Sequence, residues 1–232
     1  MRKQSGFTLI EIAIVLVIIG LLLGGVLKGQ ELITSARVRN IISQQDGIKA
    51  AYFGFQDRFR AIPGDYPGAQ ANANIPDVAI ALGGNGNGLL EQPNGAGANE
   101  STLAWMHLSH AGFITGNYTM TAVADAPADI NTPSNPYNAL LQIIHDANYA
   151  IVTGDTPATP RLNVKTGNQV PVAIMAEIDR KVDDGNAGRG IFRFSLYNGA
   201  AVAPTAANCF TAGTGVWTAT GNESNCGGVN IF

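Results

Sequence analysis

The chain has 232 residues, enough for one sizeable core or for a core with an appendage, and only 13% of them are charged. That share is about half the usual one, which indicates that part of the chain does not face water in the ordinary way. The formal net charge is −3, with 14 Lys and Arg spread over the whole length, so no basic surface is predicted and nucleic acid is not an expected partner.

The N-terminal segment has a short basic part, residues 1–6, and an almost wholly apolar part, residues 7–27. About 20 apolar residues are enough for one membrane span. No small-residue cleavage site of a secretory signal peptide follows them. Because Arg2 and Lys3 precede the span, the positive-inside rule places the N-terminus in the cytoplasm and the chain after Gln30 outside it.

The predicted helix continues beyond the span, since residues 28–60 contain no Pro, and the whole helix is expected to cover residues 7–60. Residues 28–60 are predicted to be amphipathic and to pack their apolar face on a following domain. The apolar residues at helical spacing are Ile41, Ile48, Tyr52, Phe55 and Phe59. The alternative is two helices hinged at Gly29, because glycine weakens a helix interior.

Residues 61–232 are dense in Gly, Pro, Ala and Asn and are expected to form an extracytoplasmic globular domain, since Pro63 stops the helix. The predicted helices, each starting at an N-cap Asn or a Pro, cover residues 99–112, 136–145 and 171–185. The predicted strands cover residues 149–153 and 191–197, and a final edge is expected at 229–232. The segments interpreted as loops are 69–99, 115–135 and 199–208. The predicted fold class is therefore α+β, with a long N-terminal helix packed on a domain of short helices and a small antiparallel sheet.

The two cysteines, Cys209 and Cys226, lie near the C-terminus with sixteen residues rich in Gly, Thr and Asn between them. The predicted orientation places both in an oxidising compartment, where a disulfide closing a C-terminal loop is expected. Two free buried thiols are the less favoured alternative.

Residues 6–11, Gly-Phe-Thr-Leu-Ile-Glu, followed by the unbroken apolar span, resemble the processing and assembly motif of type IV prepilins and type II secretion pseudopilins. The resemblance is strongest over residues 1–60 and implies a pilin-like fold. It also implies that a prepilin peptidase cuts after Gly6, which makes residues 1–6 a leader peptide, and that Phe7 is then N-methylated. The processed subunit would pass through an inner-membrane assembly platform into a helical filament of identical copies.

Glu11 places a carboxylate inside the apolar span, which costs about 2.5–3.5 kcal/mol at mid-span by insertion scales. Such a group should have a partner. The resemblance implies that this partner is the Phe7 amino group of a neighbouring subunit. The alternative is that Glu11 lies near the lipid headgroups and is solvated.

Four glycines of the predicted helix form two pairs of small residues four apart, which let helix backbones approach closely. They are Gly20, Gly24, Gly25 and Gly29. The alternative is the ordinary glycine content of a membrane helix. Many major pilins have a helix-kinking proline where this chain has Lys28, so any local unwinding in a filament would depend on these glycines.

Residues 83–91 resemble a degenerate calcium loop, with side-chain oxygens at Asn85 and Asn87, a backbone carbonyl at Leu89 and a carboxylate at Glu91. Calcium affinity follows ligand charge, and neutral Asn stands where Asp is expected at both early positions. A plain Gly/Asn turn is therefore the preferred interpretation, with calcium as the alternative. No other cofactor is expected.

Catalytic patterns are absent from the sequence: there is no Gly-x-Ser-x-Gly, phosphate-binding loop, His-Glu-x-x-His or Cys-x-x-Cys. His107 and His110 are three residues apart but have no evident third ligand, so we interpret them as structural. Asp183 and Asp184 before Gly185 indicate first a helix end and only second a metal site. The chain is therefore not expected to be an enzyme.

The resulting hypothesis is a structural subunit of a type IV pilus-like filament. The precursor would lie in the bacterial inner membrane, and the assembled protein would form an extracellular or periplasmic filament. Two alternatives remain open, a minor pilin or pseudopilin of a type II secretion system, and a tip adhesin or binding module on a pilin anchor.

Overall fold

The computed structural model describes residues 8–75, 83–93, 95, 97–122, 124–199, 202–221 and 223–232. The chain forms two compact units, Met1–Arg39 and Asn40–Phe232. One helix, α1 (Leu9–Phe59), provides residues to both units and has no break at Gly29. The predicted α+β class is confirmed, since this long apolar helix is followed by short helices and a small antiparallel sheet.

Within the second unit, α1 buries one face of its C-terminal half. The residues with less than a tenth of their surface exposed are Ile41, Gln45, Ile48, Ala51, Tyr52 and Phe55. Each has another of them three or four positions away, the spacing that places side chains on one side of a helix. Most of these positions are the ones that the sequence predicts for the apolar face, and Gln45 is the polar exception.

In the described part of the chain, four shorter helices follow α1: α2 (Gly68–Asn74), α3 (Glu100–His110), α4 (Val172–Val182) and α5 (Ala206–Cys209). The Asn99 side chain caps α3 by accepting a hydrogen bond from the Thr102 N–H at 3.3 Å. Pro171 precedes α4. Two of the three predicted short helices are therefore confirmed, whereas α2 and α5 lie in segments that were predicted to be loops.

The main sheet has four antiparallel strands in the order β1-β2-β6-β3. These strands are β1 (Gln142–Asp146), β2 (Arg161–Lys165), β3 (Phe192–Phe194) and β6 (Gly228–Ile231). A separate hairpin consists of β4 (Phe210–Thr211) and β5 (Val216–Trp217). The strand predicted at residues 229–232 is present as β6, but its predicted edge position is wrong, because β6 pairs on both sides and all of its residues are buried.

The helix predicted at residues 136–145 is also wrong. The Asn135 side chain accepts hydrogen bonds from the backbone N–H groups of Tyr137, at 2.8 Å, and Ala139, at 3.1 Å, and so closes a turn. Asn138 has a φ of 62°, which no α-helix contains. The apolar residues after the turn then pair as β1 with β2. Long-range pairing overrides the local helical signal here.

The strand predicted at residues 149–153 is absent from the structure. This segment turns instead, with the Asp155 N–H donating to the Val152 carbonyl at 3.0 Å. The sequence analysis missed β2, in which Leu162 and Val164 alternate with the polar Asn163 and Lys165. β3 is confirmed as a strand but is shorter than the predicted residues 191–197.

The core of the second unit joins α1, α3 and one face of the sheet. Its largest fully buried side chains include Phe55, Trp105, Leu108 and Ile143. The Phe55 ring stacks on buried His107, with 6.2 Å between ring centres, and the Nδ1 atom of His107 accepts the Gly64 N–H at 2.9 Å. These contacts give His107 the structural role that the sequence predicts.

Cys209 and Cys226 form the predicted disulfide, and both are fully buried. Their Cα atoms are 5.8 Å apart. Cys226 also exchanges two backbone hydrogen bonds with Val170, at 2.9 and 3.2 Å. The disulfide therefore connects the end of α5 to the segment between β5 and β6.

A buried carboxylate holds the β4-β5 hairpin on α4. Asp179 accepts hydrogen bonds from the Trp217 indole N–H at 2.6 Å and from the Gly185 N–H at 3.2 Å. Burial, together with the charges of Asp184 and Asp183, raises the pKa of Asp179 to about 6. These three carboxylates lie within 4.8 Å of one another, the one such acidic group among the described residues.

Replacing Asp179 with Asn tests this arrangement. At about pH 3 and below, the carboxyl group is mostly protonated in both states, and as the pH rises the unfolded chain loses the proton first, because only the folded pKa is raised. The free energy of unfolding of the wild type should therefore fall by up to about 3 kcal/mol between about pH 3 and pH 7 through this group. The variant should lack this share of the pH dependence in chemical denaturation followed by tryptophan fluorescence.

The matched control is Asp129→Asn, which removes an exposed carboxylate in another part of the second unit. This variant should keep the pH dependence of the wild type. A free-energy difference between wild type and Asp179→Asn that stays constant from pH 4 to about pH 7 would contradict the raised pKa.

Candidate functional site

The N-terminal end of α1 is closed by a reciprocal hydrogen-bond pattern between Thr8 and Glu11. The Oε2 atom of Glu11 accepts from both the N–H and the hydroxyl of Thr8, each at 2.7 Å, and the Thr8 Oγ1 atom accepts the Glu11 N–H at 3.3 Å. This pattern is a capping box, which satisfies backbone donors at the start of a helix. Within a single chain, the Glu11 carboxylate therefore has a local partner that the sequence analysis did not consider.

The processing bond lies just before this cap. Gly6 and Phe7 are outside the described residues, so cleavage between them, N-methylation and the pairing of the Phe7 amino group with Glu11 stay predictions. The neighbouring described positions are accessible, with 88% of the Leu9 surface exposed.

The N-terminal half of α1 has an apolar surface that the described residues do not cover. Every residue from 8 to 28 is exposed. Among the described residues, α1 is the one helix that is long and apolar enough to cross a membrane, and its most apolar window has no buried residue. The core helix of a water-soluble protein would bury such a surface inside its own fold. An exposed apolar surface of this length fits a membrane or a bundle of other apolar helices.

The four glycines predicted for helix packing lie on this uncovered part of α1. A Cβ atom built on Gly20, Gly24, Gly25 or Gly29 would meet nothing within 4 Å. Each glycine costs about 1 kcal/mol relative to alanine in a helix interior, and no contact among the described residues requires its small size. Close packing against a helix of another molecule would explain why glycine occupies these positions.

The calcium candidates form a turn whose side chains bond within the loop. The side-chain oxygens of Asn85 and Asn87 accept the N–H groups of Asn87 and Leu89, both at 2.9 Å. The Glu91 carboxylate accepts the Asn87 side-chain N–H at 2.8 Å, so an amide nitrogen faces this carboxylate. The arrangement is a Gly/Asn turn, the preferred interpretation of the sequence, and calcium binding stays a prediction.

Two buried carboxylates that the sequence analysis did not connect to this turn fix it in place. Asp65 accepts the N–H groups of Gly86, at 2.6 Å, and Gly88, at 2.8 Å. Glu100, the first residue of α3, is fully buried and accepts the N–H groups of Asn85 and Glu91, both at 3.0 Å. Carboxylates that accept several backbone N–H groups stabilise a loop strongly. Their separation in sequence left no local signal for these contacts.

Among the described residues, His145 belongs to no group of three or more possible metal ligands. Its Nδ1 atom accepts the Leu90 N–H at 3.0 Å, and burial lowers the pKa of His145. Both observations favour a neutral, structural histidine.

The comparisons with known proteins identify the N-terminal segment. Residues 1–27 match the model of the prokaryotic N-terminal methylation motif, the hallmark of type IV pilins and pseudopilins. This match confirms the resemblance found in the sequence. The motif implies processing by a prepilin peptidase and filament assembly at the membrane, and the proteins that carry it are structural rather than catalytic. No curated protein and no solved structure matches the chain.

Proposed function

We propose that this chain is a structural subunit of a type IV pilus-like filament, made as a membrane-anchored precursor and assembled through the N-terminal half of α1. The observation that carries the proposal is the methylation motif at residues 1–27, which continues into a helix whose apolar surface is uncovered. A membrane would cover this surface in the precursor, and neighbouring copies of the helix would cover it in the filament.

Glu11 gives assembly its specificity under this proposal. Within the described chain, both hydrogen bonds to its carboxylate are accepted by Oε2, which leaves Oε1 for a cation on another subunit. After cleavage, the Phe7 amino group of the neighbouring copy would provide that cation. The cost of a carboxylate in an apolar surrounding then favours subunits in register over subunits out of register.

The glycines give the helices their close contact. Gly20 and Gly24 lie one turn apart on α1, as do Gly25 and Gly29. Small residues at this spacing let two helix backbones approach, which strengthens van der Waals packing where apolar burial alone does not discriminate between partners.

The second unit would then face an extracytoplasmic compartment. Its Cys209–Cys226 disulfide supports this location, since disulfides persist in oxidising compartments. The basic residues Arg2 and Lys3 support a cytoplasmic N-terminus for the precursor. We propose no catalytic activity for the chain.

The first prediction of this proposal concerns processing. The assembled protein should begin at Phe7 and carry one methyl group on its amino nitrogen, because the motif places the peptidase site after Gly6. Intact mass spectrometry of the filament fraction measures both changes. Assembled chains that retain residues 1–6 would argue against the pilin-type pathway.

The second prediction separates the role of Glu11 in assembly from its role in the capping box. Glu11→Ala removes the carboxylate. Thr8→Val removes only the two hydrogen bonds between the Thr8 hydroxyl and Glu11, and it keeps the charge of Glu11. Electron microscopy of sheared surface filaments should show filaments in wild-type cells. Filaments should be lost or sparse in cells that lack the chain and in cells that carry Glu11→Ala. They should be present in cells that carry Thr8→Val.

Two controls accompany this comparison. Mass spectrometry should show the same processing in both variants, and the disulfide should form in both, since the second unit is unchanged. Normal filament numbers with Glu11→Ala would contradict intersubunit pairing. Equal losses with Glu11→Ala and Thr8→Val would reduce Glu11 to a helix cap. Filament numbers that do not change without the chain would contradict the proposed function itself.

A further inference from the structure

A cavity of about 540 Å³ lies in the second unit, on the face of the sheet opposite the core. Leu141, just before β1, and Ile143 on β1 belong to the core, and Gln142 and Ile144, which alternate with them, line the cavity. The volume is within the usual range for small-ligand pockets, about 300–1,000 Å³. No function discussed above uses this cavity.

A buried ion pair forms part of the cavity floor. Lys165 lies opposite Gln142 in the β1-β2 register, and its ammonium group reaches the Asp146 carboxylate. Asp146 also accepts hydrogen bonds from the Asn148 backbone and side-chain N–H groups, at 3.2 and 3.0 Å, and from Asn163 Nδ2 at 3.0 Å. The carboxylate thus has its full complement of about four donors.

The floor retains polar groups whose hydrogen-bonding capacity the described residues do not use. Lys165 is 3% exposed, and its ammonium group has three N–H donors. Among the described residues, Asp146 is the one hydrogen-bond acceptor for these donors. Gln142 donates to the Gln92 side-chain oxygen at 2.6 Å, which leaves the Gln92 amide N–H groups without an acceptor in the described chain. The Gln142 Oε1 atom is buried and has no described donor. Buried polar groups of this kind usually have partners.

The walls of the cavity are apolar and aromatic. The side chains that form them include Tyr149, Phe194, Leu196, Tyr197 and Phe210. Two of the rings are held by their hydroxyl groups, since Tyr149 donates to the Thr159 carbonyl at 2.6 Å and Tyr197 to the Leu141 carbonyl at 3.3 Å. Fixed aromatic surfaces bind a ligand with little loss of conformational entropy.

We infer that this cavity binds one or two units of a neutral saccharide. The charges of Lys165 and Asp146 compensate each other, which favours a ligand without net charge. The hydroxyl oxygens of a pyranose accept hydrogen bonds, so they match the free donors of Lys165 and Gln92. The apolar C–H face of the same ring matches the aromatic walls. All of these residues lie in the second unit, so the inference does not depend on filament assembly.

The test uses the full processed chain in micelles of a detergent without sugar headgroups, such as lauryldimethylamine oxide, because maltoside detergents would compete. Glucose, galactose and N-acetylglucosamine are titrated and followed by saturation-transfer NMR, with acetate and valine as small non-sugar probes. At least one sugar should bind with a Kd of about 1 mM or tighter. Binding of none of the three sugars would overturn the inference, as would binding of acetate or valine alone.

Two variants locate the bound sugar. Leu196→Glu introduces a charge at the cavity wall and should weaken binding at least about fivefold, and Gln92→Leu removes a donor and should weaken it about fivefold. The matched control is Ile130→Glu. Ile130 is an aliphatic residue that is 64% exposed, comparable to Leu196 at 57%, but it does not line the cavity. Ile130→Glu should bind as the wild type does. Equal affinity in the wild type and both cavity variants would place the sugar elsewhere and overturn the inference.

Discussion

The structure depends first on a surface that the described chain cannot bury by itself. Residues 8–28 of the N-terminal segment are all exposed, and nearly all are apolar. A water-soluble protein cannot keep such a surface in water without associating. The methylation motif matches residues 1–27 and therefore overlaps this surface in sequence. Membrane insertion and helix association are two ways to cover this surface. We propose that the precursor first inserts into the membrane and that its helix then associates with neighbouring copies in the filament.

The second unit is stabilised differently, by buried charged groups that fix long irregular segments. Glu100 and Asp65 hold the turn at residues 85–91, Asp179 holds the β4-β5 hairpin, and Asp146 pairs with Lys165 beneath the cavity. Each carboxylate accepts two or more hydrogen bonds, which offsets the cost of its burial. This explains how a domain rich in Gly, Pro and Asn keeps a defined structure with a four-stranded sheet.

The sequence predicted the elements whose signals are local. The apolar run predicts α1, the Asn99 cap predicts α3, and two cysteines in a segment that is expected to be exported predict their disulfide. It did not predict β1 and β2, whose pairing connects residues about twenty positions apart, nor the contacts of Asp65 with residues 86–88. The Thr8–Glu11 cap does have a local signal, Thr followed three residues later by Glu, but the same Glu11 also fits an intersubunit partner, so the sequence does not single out the cap.

The most direct test of the account asks what covers the apolar half of α1 in the assembled state. A photo-cross-linking amino acid at position 16, where 64% of the Leu16 surface is exposed, reports the neighbours of this helix in intact filaments. After illumination of the sheared filament fraction, the account predicts a ladder of bands at multiples of the mass of this chain, with the cross-linked peptides coming from α1 of both copies. Cross-links to lipid or to unrelated proteins, without any multiple of this chain, would contradict it.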